Sequence, residues 1–296
     1  MPALLTRKNC KRRNVPIDTR YHTHISAQHK LLDLKLGEVW SYRDLILLFT
    51  KRNFSVTYKQ TILGPMWLFI NPLLTSVVYV VLFGNIAKLS TDGTPQLLFY
   101  FTGSAIWSFF SGCVNKNAST FTNNANLFGK VYFPRLVIPV ANMLSAVIQL
   151  GIQFIIVLIL LVFYAVSGAV APHWIAWPLI PFVLAELGIM GMSFGIIISS
   201  LTTKYRDLSV LVSFGLQLWM YASPIVYPLS TVSGWVRTVL LINPVTAPVE
   251  LLRYAILGSG TVSVTLLLVS AAVTLTVAFI GIIIFNRVER TFMDTV

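Results

Sequence analysis

Residues 138–166 read IPVANMLSAVIQLGIQFIIVLILLVFYAV, and this stretch carries no charged side chain. An α-helix rises about 1.5 Å per residue, so about 20 apolar residues cross a hydrocarbon layer roughly 30 Å thick. The stretch therefore predicts a helix that spans a membrane. Five further stretches meet the same test, and the six predicted spans cover residues 66–87, 95–114, 138–166, 174–201, 208–227 and 262–285.

The composition of the whole chain agrees with an integral membrane protein. Of the 296 residues, 56% are hydrophobic and 11% are charged, whereas about 25% of residues are charged in an ordinary soluble domain. A mean hydropathy of +0.76 implies more apolar surface than one core can bury, and in water that surface would form large exposed patches. We therefore expect an all-α fold in which the excess apolar surface faces lipid.

The positions of the basic residues predict the orientation of the chain, because Lys and Arg concentrate in the cytoplasmic loops of membrane proteins. Six spans place all but three of the 22 Lys and Arg residues on the side of the N-terminus; the exceptions are Lys88, Arg237 and Arg253. A seventh span would move Arg287 and Arg290 to the outside. We therefore expect both termini in the cytoplasm, and we attribute the net charge of +12 to topology rather than to a nucleic-acid partner.

Two segments differ from the spans. Residues 224–260 are moderately apolar but are interrupted by prolines, glycines and charged residues. Such backbone is tolerated at membrane depth only against protein or a water-filled cavity, so we expect a re-entrant segment over a pore mouth, with an ordinary external loop as the alternative.

Residues 40–59 mix apolar and basic side chains, which predicts an amphipathic helix along the membrane surface. A short soluble helix packed on the protein is the other interpretation.

These features divide the chain into a basic cytoplasmic arm (1–39), an interface helix with the entry to the first span (40–65), a six-helix transmembrane domain (66–286) and a cytoplasmic tail (287–296). Within the transmembrane domain, a polar loop at about 115–135 is expected inside and the interrupted segment 224–260 outside. The arm has no apolar core typical of signal peptides, so the N-terminus is expected to stay inside. The arm either binds anionic lipid head groups or has no fixed structure.

Several polar groups lie inside the predicted spans. An ionisable side chain such as Glu186 is costly near the bilayer centre, and we favour a protonated carboxyl hydrogen-bonded to a neighbouring helix over a proton relay or a substrate contact. Asn142, Gln149 and Gln153 recur on one helical face, a pattern equally compatible with a wet path and with interhelical contacts. The small residues that recur at intervals of four in the fourth span, which predict close helix packing, are Gly191, Gly195 and Ser199.

Signatures of catalysis are missing from the sequence. It contains no G-x-x-x-x-G-K-[ST] phosphate-binding loop, no H-E-x-x-H and no G-x-S-x-G pattern. His22, His24 and His29 lie in the basic arm, and Cys10 and Cys113 have neither a disulfide framework nor a metal-ligand spacing. We therefore predict no catalytic residue, no metal site and no cofactor on this chain. If ATP drives transport, another chain hydrolyses it.

Short motifs occur in a fixed order relative to the spans. They are WSYRDL at 40–45, YKQTILGPMW at 58–67, FPR at 133–135 followed by Pro139, RDL at 206–208, SPIVYP at 223–228 and NP at 243–244. In their order and spacing they resemble the type 2 ABC exporter permeases that export polysaccharides and polyol phosphates, including O-antigen and teichoic acid exporters. The resemblance covers roughly residues 40–296.

The resemblance implies a dimer of this chain paired with two copies of a cytoplasmic ABC ATPase, which would bind ATP and Mg. Contacts with that ATPase are then expected from Tyr42, Arg43, Asp44, Asn117, Asn124 and Lys130. The substrate path is expected to be lined by Asn71, Tyr79, Gln217 and Tyr221. An external gate between the fifth and sixth spans is expected to contain Ser223, Pro224, Tyr227, Pro228, Asn243 and Pro244.

The resemblance also implies a cargo. A lipid-linked glycan, with O-antigen of lipopolysaccharide as the first expectation, would cross the bacterial plasma (inner) membrane. Its pyrophosphate head group is expected to meet cations at the inner face, namely Arg52, Lys59, Arg135 and Arg206. Teichoic acid, capsular polysaccharide and a small molecule or drug are alternative cargoes for the same fold. A membrane-embedded enzyme acting on lipid is a third class, and the sequence offers it no catalytic cluster.

Overall fold

A computed structural model describes residues 36–58, 63–128, 130–202 and 207–295. Within these ranges every regular element is a helix. The α-helices are α1 (Leu36–Ser41), α2 (Arg43–Tyr58), α3 (Trp67–Tyr79), α4 (Gln96–Ala118), α5 (Thr120–Phe128), α6 (Val137–Val166), α7 (Ile180–Thr202), α8 (Leu208–Tyr221), α9 (Gly234–Ile242), α10 (Thr246–Leu257) and α11 (Val264–Thr295). A π-helical segment, Val80–Ile86, continues α3. Most of the predicted basic arm lies outside the described residues.

In the described part of the chain, five helical segments are long and apolar enough to cross a membrane. They are Gly64–Ile86, Gln96–Ala118, Val137–Val166, Trp174–Thr202 and Val264–Val288. A sixth is reached only if α9 and α10 are taken together as one bent span. The predicted all-helical membrane fold is confirmed, and the placement of the termini in the cytoplasm remains a prediction.

The predicted fifth span, 208–227, is shorter in the structure. α8 contains 14 residues and ends at Tyr221, so at about 1.5 Å per residue it covers roughly 21 Å. Residues 222–227 form turns and bends instead, because Pro224 lacks the backbone N–H that would continue the helix and its ring clashes with the preceding turn. The predicted end of this span is therefore wrong, and α8 alone is shorter than the hydrocarbon layer.

The interrupted segment contains α9 and α10, which meet at an angle of 93°. α9 lies at the surface and exposes Trp235 and Ile242, whereas every residue of α10 except Tyr254 is buried. Gly258 ends α10 with φ 74°, the left-handed conformation that favours glycine. The pair has the geometry of a broken span or a re-entrant hairpin. The side of the membrane on which it lies remains a prediction.

Helix α4 forms the centre of the bundle. In its most apolar stretch 72% of the residues are buried, compared with 11% in the first span and 17% in the last. Its aromatic residues Phe99 and Tyr100 pack edge to face, and Phe110 packs on Trp219 of α8. The aromatic residues of α4 therefore belong to the core, while most of the first and last spans is exposed in a single copy of the chain.

The small residues of α7 allow this helix to approach α4 closely. A Cβ atom on Gly195 would lie 2.5 Å from the Cβ of Asn117, and one on Gly191 would lie 2.8 Å from the Cβ of Cys113. One turn further on, the Ser199 hydroxyl accepts a hydrogen bond from the backbone N–H of Phe121 at the start of α5. The predicted packing role of these residues is confirmed.

The N-terminal helix α2 packs along the beginning of α6. Its Ile46 and Phe49 side chains are buried in an apolar cluster that also contains Phe133, whereas Leu47 and Leu48 are each 61% exposed. One face of α2 thus packs on the protein, and another presents apolar side chains outward, as a helix at a membrane surface would. α2 therefore packs on the protein, as one interpretation predicted. It also has an exposed apolar face, as the interpretation of a helix along the membrane surface predicted.

Candidate functional site

A polar cavity of about 730 Å³ opens between α2, the junction of α4 and α5, and α6. Its cations are Arg52, Lys116 and Lys130, and among the described residues no carboxylate lines it. We call this cavity the basic cleft. It is lined by Arg52, Asn53, Phe54, Val56, Lys116, Ser119, Asn123, Asn124, Asn126, Leu127, Lys130, Asn142, Ser145 and Gln149.

A chain of amide hydrogen bonds fixes the walls of the basic cleft. Asn53 of α2 donates to the Oδ1 atom of Asn142 on α6 over 2.9 Å. Asn142 in turn donates to the Lys116 carbonyl at 3.1 Å and to the Oδ1 atom of Asn117 at 3.3 Å. Asn117 donates to the Cys113 carbonyl at 2.9 Å. At this level the polar face of α6 therefore makes interhelical contacts.

A second cavity, of about 330 Å³, lies deeper between α3, α4, α6 and α8. Gln149 lines both cavities and Gln153 lines the second, so the polar face of α6 runs from one cavity to the other. We call the second one the inner cavity. It is lined by Trp67, Leu68, Asn71, Pro72, Thr75, Tyr79, Ser104, Trp107, Ser108, Ser111, Gln149, Gln153 and Met220. The sequence left open whether this face lines a wet path or makes interhelical contacts. Asn142 makes interhelical contacts, whereas Gln149 and Gln153 line cavities.

The structure brings together two of the four predicted path residues. Asn71 and Tyr79 both line the inner cavity, where the Tyr79 hydroxyl donates to the sulfur of Met220 on α8 over 3.4 Å. Gln217 and Tyr221 instead lie on the exposed surface of α8. Within one copy of the chain, the predicted path is therefore only half assembled.

Asn243, one of the predicted gate residues, links the end of α8 to the bend between α9 and α10. Its amide nitrogen donates to the Ala222 carbonyl and to the Ser223 hydroxyl, both at 2.8 Å. Its Oδ1 atom accepts from the Trp219 indole at 3.2 Å and from the Val245 N–H at 3.0 Å. Three hydrogen bonds of the Asn243 side chain therefore connect the bend to the end of α8.

Arg253 is a central contact of this region that the sequence did not assign to the site. It is 1% exposed, and its guanidinium donates to the carbonyls of Ile225 at 2.7 Å and Tyr227 at 3.2 Å. It also pairs with Glu250 at 3.4 Å and lies 4.0 Å from the centre of the Phe99 ring. The sequence does contain a signal for this contact, because Arg253 follows Glu250 by three residues in an apolar segment. Residues at this spacing lie on one face of a helix and can pair.

Glu186 makes the hydrogen bond to a neighbouring helix that the favoured interpretation predicted, and the protonated state of its carboxyl remains a prediction. Its carboxyl accepts a hydrogen bond from the Ser270 hydroxyl of α11, and the same hydroxyl is within 2.7 Å of the Pro244 carbonyl. Glu186 therefore connects α7 to α11 and, through Ser270, to the bend of the interrupted segment. The contact to a neighbouring helix is confirmed.

The predicted ATPase contacts fall into three groups by exposure. Arg43 and Asp44 are exposed at the start of α2, and Lys130 is exposed beyond α5. Asn124 is half-buried and lines the basic cleft, and Tyr42 is half-buried against the apolar cluster of α2. The remaining member, Asn117, is fully buried, so its side chain is not available for the direct contact that we expected.

The predicted head-group cations are also divided. Arg52 lines the basic cleft and stacks over the Phe49 ring at 4.8 Å. Arg135 instead stacks over the ring of Phe128 at 5.4 Å and does not line the cleft. Lys59 and Arg206 lie outside the described residues. The cleft contains two further cations, Lys116 and Lys130, that were not predicted for this role.

Comparison with known proteins identifies the family. Residues 44–257 match the model of the family described as ABC-2 type transporter. The chain belongs to this family. The predicted resemblance to ABC exporter permeases is thereby confirmed, and this ABC-2 permease is a multi-pass membrane protein.

This ABC-2 permease is similar to proteins named for O-antigen export. It is 30% identical over 201 residues to the O-antigen export system permease protein RfbA of Myxococcus xanthus. This match covers 66% of this chain and 72% of that protein. Two proteins of the same name from Klebsiella pneumoniae are each 26% identical to it, over 252 and 257 residues. Each match covers 85% of this chain and 94% of the relative.

Proposed function

We propose that this ABC-2 permease moves a lipid-linked glycan, in first place O-antigen, across the bacterial inner membrane as one subunit of an ATP-driven exporter. The observation that carries the proposal is the match over 85% of the chain with permeases named for O-antigen export. The polar face of α6, which connects the basic cleft to the inner cavity, supports it because a glycan needs hydrogen-bonding partners inside the bilayer.

The complete exporter contains two copies of this chain. In one copy, the polar side chains of Asn71 and Gln217 lie exposed on α3 and α8, among exposed apolar residues such as Leu74, Phe214 and Leu218. Polar side chains in spanning helices normally face protein or water rather than lipid. A second copy packed on α3 and α8 provides that environment and completes a path lined by the predicted residues.

ATP and Mg are bound by a separate cytoplasmic ATPase, present in two copies. The exposed residues Arg43, Asp44 and Lys130 on the segments flanking the basic cleft offer both signs of charge for such a partner. A displacement of α2 reaches the bundle through Asn53 and Asn142, because their hydrogen bonds connect α2 to α6 and α4. The coupling that we propose therefore passes through the walls of the cleft.

The experiment that tests this function deletes the gene in its host and then complements the deletion with the intact gene. Deletion is expected to abolish surface O-antigen and to cause lipid-linked glycan to accumulate at the inner membrane, and the intact gene is expected to reverse both effects. Affinity-purified permease is expected to carry an ATPase in equal amount. Normal surface glycan in the deletion strain would show that the proposal is wrong.

Alternative cargoes give different outcomes in the same strain. Loss of capsule or teichoic acid with normal O-antigen would reassign the glycan and keep the exporter. Increased sensitivity to small toxic compounds, with every surface glycan normal, would instead indicate a drug exporter of the same fold.

A further inference from the structure

Three oxygen atoms meet where α7, α11 and the bend between α9 and α10 come together. The Ser270 hydroxyl oxygen lies within hydrogen-bond distance of a carboxyl oxygen of Glu186 and 2.7 Å from the Pro244 carbonyl oxygen. Ser270 is 1% exposed and Glu186 is half-buried. Glu186 follows Ile180, the first residue of α7, by six residues, so about 9 Å of helix lies between it and that end. The bend thus meets these helices inside the bundle rather than at their ends.

The Pro244 carbonyl depends on the Ser270 hydroxyl. In the first turn of a helix, the carbonyl of residue 244 would accept a hydrogen bond from the backbone N–H of residue 248. Residue 248 is a proline, which has no N–H. Among the described residues, Ser270 is the one hydrogen-bond partner that this half-buried carbonyl has. Loss of that contact leaves the carbonyl unsatisfied, which is costly away from water.

The Ser270 hydroxyl has two oxygen neighbours but only one proton to donate. If the Glu186 carboxyl is ionised, it can only accept, and a charged acceptor forms the stronger hydrogen bond. Ser270 then donates to Glu186, and no proton lies between the hydroxyl oxygen and the Pro244 carbonyl. If the carboxyl is protonated, it donates to Ser270 and leaves the hydroxyl proton for Pro244. Both contacts are therefore full hydrogen bonds only while Glu186 carries a proton.

The surroundings of Glu186 provide no charge that would stabilise its ionised form. Within the part of the chain that the structure describes, no cation forms an ion pair with it, and Arg253 of the neighbouring helix α10 is paired with Glu250. An ionised carboxylate without a counter-charge is costly in apolar surroundings. The titratable residues of the helices that pack on α7 are Tyr100, Cys113 and Lys116 on α4, Tyr164 on α6, Tyr221 on α8, Glu250, Arg253 and Tyr254 on α10, and Arg287, Glu289, Arg290 and Asp294 on α11.

We infer that a proton on Glu186 holds the bend between α9 and α10 in place, and that loss of this proton releases the Pro244 carbonyl and loosens the bend. The proton passes to water, and Ser270 turns its own proton from Pro244 to the carboxylate. Glu186 is thus a positioning residue that acts on the bend through Ser270.

This arrangement gives the bend a defined response to pH. The held bend binds one proton more than the released bend, so acid favours the held form and a rise in pH favours release. Because Asn243 and Pro244 belong to the predicted external gate, the same proton opposes opening of that gate. The passage of a glycan through the gate rests on the proposed function, whereas the response of the bend to pH does not.

Infrared spectroscopy of the full-length permease in nanodiscs tests the proton itself. A protonated carboxylic acid has a C=O stretching band that a carboxylate lacks. The difference spectrum between wild type and Glu186→Gln is expected to contain this band at about pH 6 and to lose intensity by about pH 9, the range in which buried carboxyl groups ionise. Glu38→Gln removes an exposed carboxylate and is the matched control, in which the band is expected to be nearly absent at about pH 6. A Glu186 band that is missing at the lower pH, or unchanged at the higher pH, would overturn the inference.

A cysteine reporter tests the bend. Val245, the residue after Pro244, is fully buried, so Val245→Cys in a variant without native cysteines is expected to react slowly with a water-soluble maleimide while the bend is held. Thiols react faster as pH rises, so each rate is divided by the rate of the same reporter combined with Glu186→Gln at the same pH. The Gln amide donates to Ser270 as a protonated carboxyl does, but it cannot ionise. The ratio is expected to rise about fivefold between about pH 6 and about pH 9, which is the effect of losing one hydrogen bond.

Removal of the Ser270 hydroxyl distinguishes this mechanism from a general effect of pH on the protein. Ser270→Ala is expected to raise the reporter rate about fivefold at about pH 6, because the Pro244 carbonyl loses its partner at every pH. Thr276→Ala is the matched control on α11, since the Thr276 hydroxyl donates only to the Ala272 carbonyl of its own helix, and it is expected to leave the rate unchanged. A wild-type ratio that is independent of pH, or a Ser270→Ala rate equal to that of wild type, would show that Glu186 does not hold the bend.

Failure of this inference and failure of the proposed function give separate results, because neither measurement needs a cargo or an ATPase. If the reporter ratio is independent of pH while the intact gene restores surface O-antigen, the role of Glu186 alone is wrong. If the ratio rises with pH but deletion leaves every surface glycan intact, the proposed function alone is wrong.

Discussion

Arg253 shows how a charged residue is accommodated deep in the fold. It is the largest fully buried side chain among the described residues, and its charge is balanced by Glu250 and by two backbone carbonyls. Removing one partner of a buried ion pair leaves the other without compensation, which is far more costly than the net value of the pair. The same contacts hold residues 223–228 in place against α4 and α10.

Arg253→Met is therefore expected to lower the free energy of unfolding by about 3–5 kcal/mol, because Glu250 would remain buried without its cation. Denaturation of the purified protein in detergent measures the effect. The double variant Arg253→Met/Glu250→Gln removes both charges and is expected to recover part of the loss. A single variant as stable as wild type would contradict the stabilising role of the Arg253–Glu250 pair.

At the scale of single residues, the sequence predicted some contacts and missed others. The contact of Glu186 with a neighbouring helix was predicted correctly, because one acidic residue in a long apolar stretch has few alternatives to a hydrogen-bonded neighbour. The basic cleft was not predicted, because Arg52, Lys116, Lys130 and Asn142 come from four separate segments. Nothing local in the sequence indicates that these segments meet, and Lys116 counted only toward the charge of a cytoplasmic loop.

The helices themselves were largely predictable from the sequence. Long apolar stretches found four of the five long spans within a few residues of their observed ends, since a bilayer requires continuous apolar helices. For Gln96–Ala118 the predicted end, 114, came four residues early, because the helix continues through the polar residues 115–117, of which Asn117 is buried. The end of α8 was predicted too late, because the apolar residues 225 and 226 continue past Pro224 in a non-helical conformation. Hydropathy measures polarity, and it does not detect where a proline ends the hydrogen-bonding of a helix.

At the level of helix pairs, Gly195→Ala is expected to destabilise the protein by about 1–3 kcal/mol, the usual cost of overpacking a close contact. The added methyl group would clash with Asn117 on α4. Gly151→Ala is the matched control, since nothing lies within 4 Å of the place that its Cβ atom would occupy on α6, and it is expected to change stability by less than about 1 kcal/mol. Thermal unfolding in detergent measures both, and equal effects would contradict the packing role of α7.

At the scale of the whole molecule, the exposed polar residues of α8 predict where two copies meet. In a variant without native cysteines, Gln217→Cys is expected to form a disulfide-linked dimer when membranes are oxidised. Ile159→Cys is the control, because Ile159 is 63% exposed on the apolar surface of α6 and is expected to face lipid. Dimer bands of equal intensity from both variants would indicate random collision instead of a specific interface.

The orientation of the molecule predicts a pattern of chemical labelling. Lys88 and Lys130 are both exposed, and the distribution of basic residues predicts that they lie on opposite sides of the membrane. In the cysteine-free background, Lys88→Cys is expected to react with a membrane-impermeant maleimide in intact spheroplasts. Lys130→Cys is expected to react only after the membrane is permeabilised. The reverse pattern would invert the topology.

The central position of α4 has a consequence for biogenesis. It is the least apolar of the five long helices and the most buried of them, so lipid alone holds it weakly when it leaves the translocon. Its stable partners α6 and α7 are synthesised later in the chain. The nascent protein therefore has to retain α4 beside the translocon or an insertase until those partners emerge, and truncated chains ending before α7 are expected to be degraded.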